Sequence, residues 1–172
     1  MNTEEYPGGV ASLAGAMGAG GRPWEIAVGG SSMRPLIAPG DRVMVRPSSL
    51  STIKPGRIFA YWKDSRIVVH RVIARRKGPL GWRFLQVGDG GAEADWVEGP
   101  AVLGTVIRIR KASGAILLDG FPAEPIGIII GGLDRLMAGS ALRGKTAGRR
   151  VLRSGLHRLI TATARLYPMV RI

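Results

Sequence analysis

Seven short runs of β-forming residues, separated by Gly and Pro turns, constrain the fold of this chain more than any other feature. The runs are residues 24–28, 41–46, 57–62, 66–74, 82–87, 102–110 and 115–118. Several alternate polar and apolar residues, which is typical of half-buried strands. Turn signals such as Pro39–Gly40, Pro55–Gly56 and Ser113–Gly114 lie between them. Short strands at this spacing predict a mainly β domain, an antiparallel barrel or sandwich, over residues 23–119.

The segments on either side of this domain differ from it in composition. Residues 1–22 are rich in Gly and Ala and predict a flexible arm. Residues 120–172 carry much of the net charge of +13, with eight Lys or Arg and no acidic residue from Ser140 onward. Apolar residues recur there with helical spacing at Val151, Leu152, Leu156, Leu159, Ile160 and Thr163. We therefore predict a basic, helical C-terminal appendage.

The basic appendage has two interpretations. A cationic face opposite an apolar face fits peripheral binding to anionic lipid. The candidate lipid-binding residues are Arg149, Arg150, Arg153 and Arg158. Alternatively, the apolar face packs on the β domain and the arginines are merely solvated.

Composition excludes several kinds of site. The chain has no cysteine, which excludes disulfides and thiol catalysis. His70 and His157 are its two histidines, so a multi-histidine metal site is disfavoured, and we expect no metal and no other cofactor. No apolar stretch approaches the roughly 20 residues of a membrane helix. The acidic start lacks the features of a secretory signal peptide. These features favour a cytoplasmic protein that either is free or contacts a membrane peripherally.

A Gly-Gly-Ser-Ser turn after the first predicted strand is the first candidate for chemistry. Residues 29–35 read GGSSMRP. Such a turn can present a hydroxyl and a backbone N–H toward one point, and acyl transfer needs both a nucleophile and an oxyanion donor. Ser32 is the candidate nucleophile, and the candidate oxyanion donors are Ser32, Ser31 and Gly30. The alternative is an ordinary surface turn.

A histidine and two aspartates complete a possible constellation. His70 lies within an apolar strand, on the face of Val68 and Val72, where it could act as a general base. Asp89 and Asp95 lie at the two ends of a Gly-rich loop, and either could orient the imidazole. A core histidine and a solvated turn are the alternatives.

Six short segments in order resemble the type I signal peptidase family. They are Ser-Met-x-Pro at 32–35, x-Pro-Gly-Asp at 38–41, Pro-Gly-x-Ile at 55–58, His-Arg-Val at 70–72, Val-Gly-Asp at 87–89 with Asp95, and Leu-Gly-x-Val at 103–106. The resemblance spans residues 30–110. Because a histidine stands where bacterial members have lysine, it is closest to the endoplasmic-reticulum and archaeal branch.

The resemblance implies a fold and a set of roles. The fold would be the coiled β-sheet peptidase domain shared by signal peptidases and LexA-type repressors. Ser32 would be the nucleophile, His70 the base and Asp95 the third member, with Asp89 supporting the loop. The partner would be a peptide or protein, cleaved after small side chains. Two departures are Gly30, where the family often has Ser or Thr, and the missing membrane helix before the serine.

Two other functions remain open. A pI of about 11.4 permits nucleic-acid binding, as in a LexA-like DNA-associated protein. The Gly-rich arm cannot supply a helix-turn-helix domain, however, and this disfavours nucleic acid as a partner. A non-catalytic relative could also keep the fold as a peptide-binding module.

Overall fold

The computed structural model describes residues 21–79, 81–90 and 94–119, together with the backbone of residues 169–170. This part of the chain is mainly β, with two single-turn 3-10 helices at Leu50–Thr52 and Gly99–Ala101. Its strands are β1 (Trp24–Ala27), β2 (Arg42–Arg46), β3 (Ile58–Lys63), β4 (Arg66–Gly78), β5 (Gly81–Val87), β6 (Asp95–Glu98), β7 (Val102–Lys111), β8 (Gly114–Leu117) and β9 (Met169–Val170).

All the strands pair antiparallel in one curled sheet. The order is β1-β2-β7-β3-β4-β5-β6, and β8 pairs with both β7 and β9. Strand β7 joins three neighbours because it is long. Its Thr105–Arg110 segment pairs with β2 along one edge. Along the other edge, residues 102–105 pair with β3 and residues 108–111 pair with β8. The chain therefore forms a half-barrel in which β1 and β6 are the edges of the main path.

Two apolar clusters form because both faces of the central strands are covered. One contains Met33, Leu36, Ile37 and residues of β2, β3 and β7. The other contains Phe59, Tyr61, Val72 and Phe84. In β4, Ile67 and Val69 pack toward the first cluster, and Val68 and Val72 pack toward the second. The alternation of a strand therefore places His70 on the face of the second cluster.

The strand predictions hold with small shifts at their ends. Each of the seven predicted runs contains a strand, and β4 extends past Ala74 to Gly78 because it continues to pair with β5. Strand β6 was not predicted, because its four residues carry two carboxylates and look like part of the preceding loop.

The predictions for the two flanking segments lie almost wholly outside the described residues. The arm falls there except for residues 21–22, and so does the predicted helix over 151–163. Met169–Val170 forms a short strand on β8, C-terminal to residues 151–163, over which the helical spacing was predicted. Across 21–79, 81–90 and 94–119, no helix has the length and apolar character to cross a membrane.

Candidate active site

The Ser32 turn, residues 29–40, is anchored at both ends and along one side. The Val28 N–H donates to the Asp41 carbonyl at 2.9 Å, and the Gly40 N–H donates to the Val28 carbonyl at 2.9 Å. Met33, Leu36 and Ile37 lie in the first apolar cluster. Burial of these side chains fixes the turn, because apolar surface removed from water stabilises at roughly 25 cal/mol per Å². Ser32 itself stays exposed, as a nucleophile must.

His70 reaches Ser32 across the sheet. The distance from Nε2 of His70 to Oγ of Ser32 is 2.9 Å. This lies within the range for a general base that accepts a hydroxyl proton. The structure thus brings together the two residues that the sequence selected as nucleophile and base.

The other imidazole nitrogen faces an amide and a phenol. Nδ1 of His70 is hydrogen-bonded to Oε1 of Gln86 and lies 3.3 Å from the hydroxyl of Tyr61. Burial lowers the pKa of His70 below its ordinary value, and the Gln86 hydrogen bond only partly opposes this. His70 therefore stays neutral to a lower pH than an exposed histidine would.

The structure does not bring either predicted aspartate to His70. The Asp95 carboxylate accepts hydrogen bonds from the Lys63 ammonium at 2.7 Å and the Trp96 N–H at 2.8 Å. The Lys63 hydrogen bond lowers the pKa of Asp95. Asp95 opens edge strand β6, and its carboxylate is drawn to a cation on β3 at the protein surface. In this geometry Gln86 occupies the place that the sequence assigned to Asp95.

Asp89 forms an ion pair with a buried arginine, Arg71. Its two oxygens accept from Nε and Nη2 of Arg71 at 2.8 and 2.7 Å, and Nη1 of Arg71 donates to the Gly56 carbonyl at 2.8 Å. Both side chains are almost fully buried. A buried guanidinium needs such a counterion, since an unpaired buried charge is costly. The supporting role suggested for Asp89 fits this position; the alternative role of orienting His70 does not.

The Gly88–Gly90 loop contacts Ser32 and fixes its backbone position. The Gly90 N–H donates to the Ser32 carbonyl at 2.7 Å. A Cβ on Gly88 would lie 2.5 Å from that carbonyl oxygen and 3.2 Å from Nε2 of His70. Only glycine permits this approach. The buried Asp89–Arg71 pair therefore holds the loop that holds Ser32.

The candidate oxyanion donors lie on the open side of the turn. Ser31 and Gly30 are exposed, and the Ser31 carbonyl is used by the Arg34 N–H at 3.1 Å. Within the described part of the chain, the Ser32 N–H has no hydrogen-bond acceptor. An amide so placed is available to a developing oxyanion.

The sequence did not identify Gln86 or Tyr61 as site residues. The available signal was a polar residue, Gln86, at an inward position of a strand whose neighbour on that face is Phe84.

The candidate lipid-binding residues Arg149, Arg150, Arg153 and Arg158 lie outside the described residues. Where the structure is described, no group of three His, Asp or Glu could hold a metal ion. Comparisons with protein-family models, curated proteins and solved structures found no match to this chain.

Proposed function

We propose that this protein is a serine endopeptidase of the signal-peptidase type. The observation that carries the proposal is the 2.9 Å distance from Oγ of Ser32 to Nε2 of His70. Serine is a poor nucleophile at its own pKa and needs a neutral base in contact with its hydroxyl. The Ser/His order and spacing resemble those of the signal peptidase family.

The reaction would follow the acyl-enzyme route. His70 takes the Ser32 proton as Oγ attacks the peptide carbonyl, and the Ser32 N–H stabilises the oxyanion. The imidazolium then protonates the departing amine, which leaves an ester on Ser32. Water, deprotonated by the same imidazole, hydrolyses the ester.

A free sheet edge on the strand that precedes the Ser32 turn in the chain supports a peptide substrate. Strand β1 pairs with β2 on one side and, within the described residues, with no strand on the other. Its Trp24 and Ile26, and Val28 just after it, are half-buried against the first cluster. An extended peptide can add to such an edge through backbone hydrogen bonds. The likeness to signal peptidases suggests small side chains before the scissile bond, in a signal or leader peptide.

The direct test is the pair Ser32→Ala and His70→Ala, assayed on a peptide library. We expect each variant to lose at least about 10³-fold in kcat, because nucleophile and base act as a unit. Ser51→Ala and His157→Gln are matched controls that should retain activity. Wild-type cleavage by both Ser32→Ala and His70→Ala would refute the roles.

Two binding measurements separate the two remaining functions. Peptide binding that is equal in wild type and Ser32→Ala, with cleavage by neither, would indicate a non-catalytic peptide-binding module. A DNA mobility shift that weakens steeply with salt would favour the LexA-like alternative.

We also propose peripheral contact with an anionic membrane, because the described domain has two groups of basic and aromatic side chains near the C-terminal end of β4. Two tryptophans there each carry two cations over their rings, at 4.3 to 5.6 Å from the ring centroid. These two groups, together called the Trp–Arg cluster, lie on opposite faces of the sheet: Trp82 with Arg75 and Lys77 on the face of the second apolar cluster, and Trp96 with Arg76 and Arg83 on the other. Both groups lie where β4 continues past the end of its pairing with β3.

Anionic lipid suits the Trp–Arg cluster better than nucleic acid does. Indole rings favour the membrane interface, and each nearby Lys or Arg adds roughly 1 kcal/mol of attraction to anionic lipid. Single-stranded nucleic acid stacks its bases on open aromatic faces. Trp82 has Arg75 and Lys77 over its ring and packs against the second apolar cluster, which hinders such stacking.

Vesicle flotation tests this contact in the full-length protein. We expect binding to vesicles with phosphatidylglycerol and none to pure phosphatidylcholine. Arg76→Ala with Lys77→Ala should weaken binding about tenfold or more. Arg22→Ala with Arg108→Ala removes the same charge elsewhere and is the control. If only substitution of Arg149, Arg150, Arg153 and Arg158 by Gln weakens flotation, the appendage and not the Trp–Arg cluster binds lipid.

A further inference from the structure

We propose that Gln86 is a positioning residue that holds His70 in the tautomer protonated on Nδ1, so that the lone pair of Nε2 faces Ser32. This inference rests on the proposed peptidase function and names the group that replaces the expected carboxylate. Gln86 is the one glutamine in the chain.

The hydrogen-bond directions follow from the chemistry of the amide. Oε1 of Gln86 can only accept, so the Nδ1 in contact with it must donate. A neutral imidazole carries one proton, and Nε2 is then unprotonated. Without a proton, Nε2 can accept a hydrogen bond but cannot donate one. The Ser32 hydroxyl beside it must therefore donate, which is the direction that general-base catalysis requires.

The position of Gln86 fixes its amide against His70. Gln86 lies on β5 opposite Val72 and is 3% exposed, so water does not compete for its oxygen. Tyr61, the second neighbour of Nδ1, is also buried, and burial raises the pKa of Tyr61 far above neutrality. Tyr61 therefore remains a neutral phenol and supplies no charge to the imidazole.

The charged groups around His70 are already paired with one another. Asp89 is paired with Arg71 and Lys63 with Asp95, and their opposite effects on the pKa of His70 are both smaller than the lowering by burial. The imidazolium formed during the reaction thus contacts an amide and a phenol but no carboxylate. Burial keeps the pKa of His70 low, and we expect the acid limb of kcat/KM to lie below pH 6.5.

Two substitutions separate positioning from a merely structural role. Gln86→Leu keeps the volume but removes the acceptor, and we expect roughly 10- to 100-fold lower kcat with KM little changed. Gln86→Glu restores an acceptor and adds charge. It should recover much of that kcat and move the acid limb to higher pH, because a carboxylate stabilises the imidazolium.

A second measurement needs no substrate. In His157→Gln protein, His70 is the one remaining histidine, and the ¹⁵N chemical shifts of its ring report the tautomer. We expect Nδ1–H in the parent protein and a mixture in the Gln86→Leu variant. An Nε2–H parent would overturn the inference whether or not peptides are cleaved. Unchanged kcat in Gln86→Leu, together with an unmoved acid limb in Gln86→Glu, would also overturn it.

Discussion

Asp89 and Asp95 lie at the two ends of one short segment, but their surroundings differ completely. The Asp89 side chain is 0% exposed, and its two oxygens accept hydrogen bonds from Nε and Nη2 of Arg71. The Asp95 side chain is 55% exposed and forms an ion pair with Lys63 at the surface. The first pair lies beneath the candidate active site and supports the nucleophile through the Gly88–Gly90 loop. The second fastens an edge strand. Burial, rather than residue type or distance along the chain, decides what each aspartate can contribute.

Removing one partner of the buried pair should have the largest effect. We expect Asp89→Ala to lower the free energy of unfolding by about 3–5 kcal/mol, because the buried Arg71 guanidinium loses the carboxylate that accepts two of its hydrogen bonds. Urea denaturation measures this. The double variant Arg71→Met with Asp89→Leu should recover most of the loss. A change below about 1 kcal/mol in Asp89→Ala would break the contrast between the two aspartates.

A smaller effect is expected when the loop is displaced and the ion pair is left intact. Gly88→Ala places a methyl group against the Ser32 carbonyl, and we expect kcat to fall about 10- to 100-fold, since misplacements near 1 Å can cost 10²-fold. Gly29→Ala is the matched control, because its Cβ would meet nothing within 4 Å. Equal activity of the two variants would show that the loop does not position Ser32.

The buried histidine predicts a modest pH dependence of stability. Burial lowers the pKa of His70 in the folded state, so the unfolded state binds a proton first as the pH falls. Wild type should therefore lose stability as the pH drops below about 6.5 and regain it fully above that value. Thermal unfolding from pH 7.5 to 5 should show a smaller loss for His70→Gln. Parallel curves for the two proteins would contradict the effect of burial.

The surface pair should matter least. We expect Asp95→Asn to change the free energy of unfolding by about 0–1 kcal/mol, as exposed ion pairs usually do, and to leave kcat within about twofold. A double-mutant cycle with Lys63→Gln isolates the pair. A loss of kcat approaching that of His70→Ala would reinstate Asp95 as the third member of the triad.

The sequence predicted the sheet better than the details of the site. Local alternation and turn residues are enough to place most strands, and the ordered segments around Ser32 and His70 were enough to select nucleophile and base. Gln86, the hydrogen-bond partner of Nδ1 of His70, could not be predicted from local alternation or from the ordered segments. This contact depends on the registers of β4 with β5 and of β5 with β6, which align Val72 with Gln86 and Gln86 with Asp95, so that Gln86 lies one strand nearer to β4 than Asp95 does.

The two carboxylate partners were also hidden by distance along the chain. Asp95 meets Lys63 although two strands, β4 and β5, separate β6 from β3 in the sheet. Asp89 meets Arg71 because that arginine is turned inward. An arginine following His70 in an apolar run looks like an outward residue. Its burial becomes predictable only when an acid is known to lie beneath the sheet.

The hydrogen bond from the Gly90 N–H to the Ser32 carbonyl has a consequence for the newly made chain. During synthesis Ser32 is made more than 50 residues before residues 88–90, and that amide follows directly after β5, which pairs with β4. Until then Ser32 lacks the hydrogen bond from the Gly90 N–H that holds its carbonyl, and its hydroxyl is not yet positioned against His70. The Ser32–His70 pair is therefore a late product of folding, which assembles only after the strands on both sides of residues 88–90 are made.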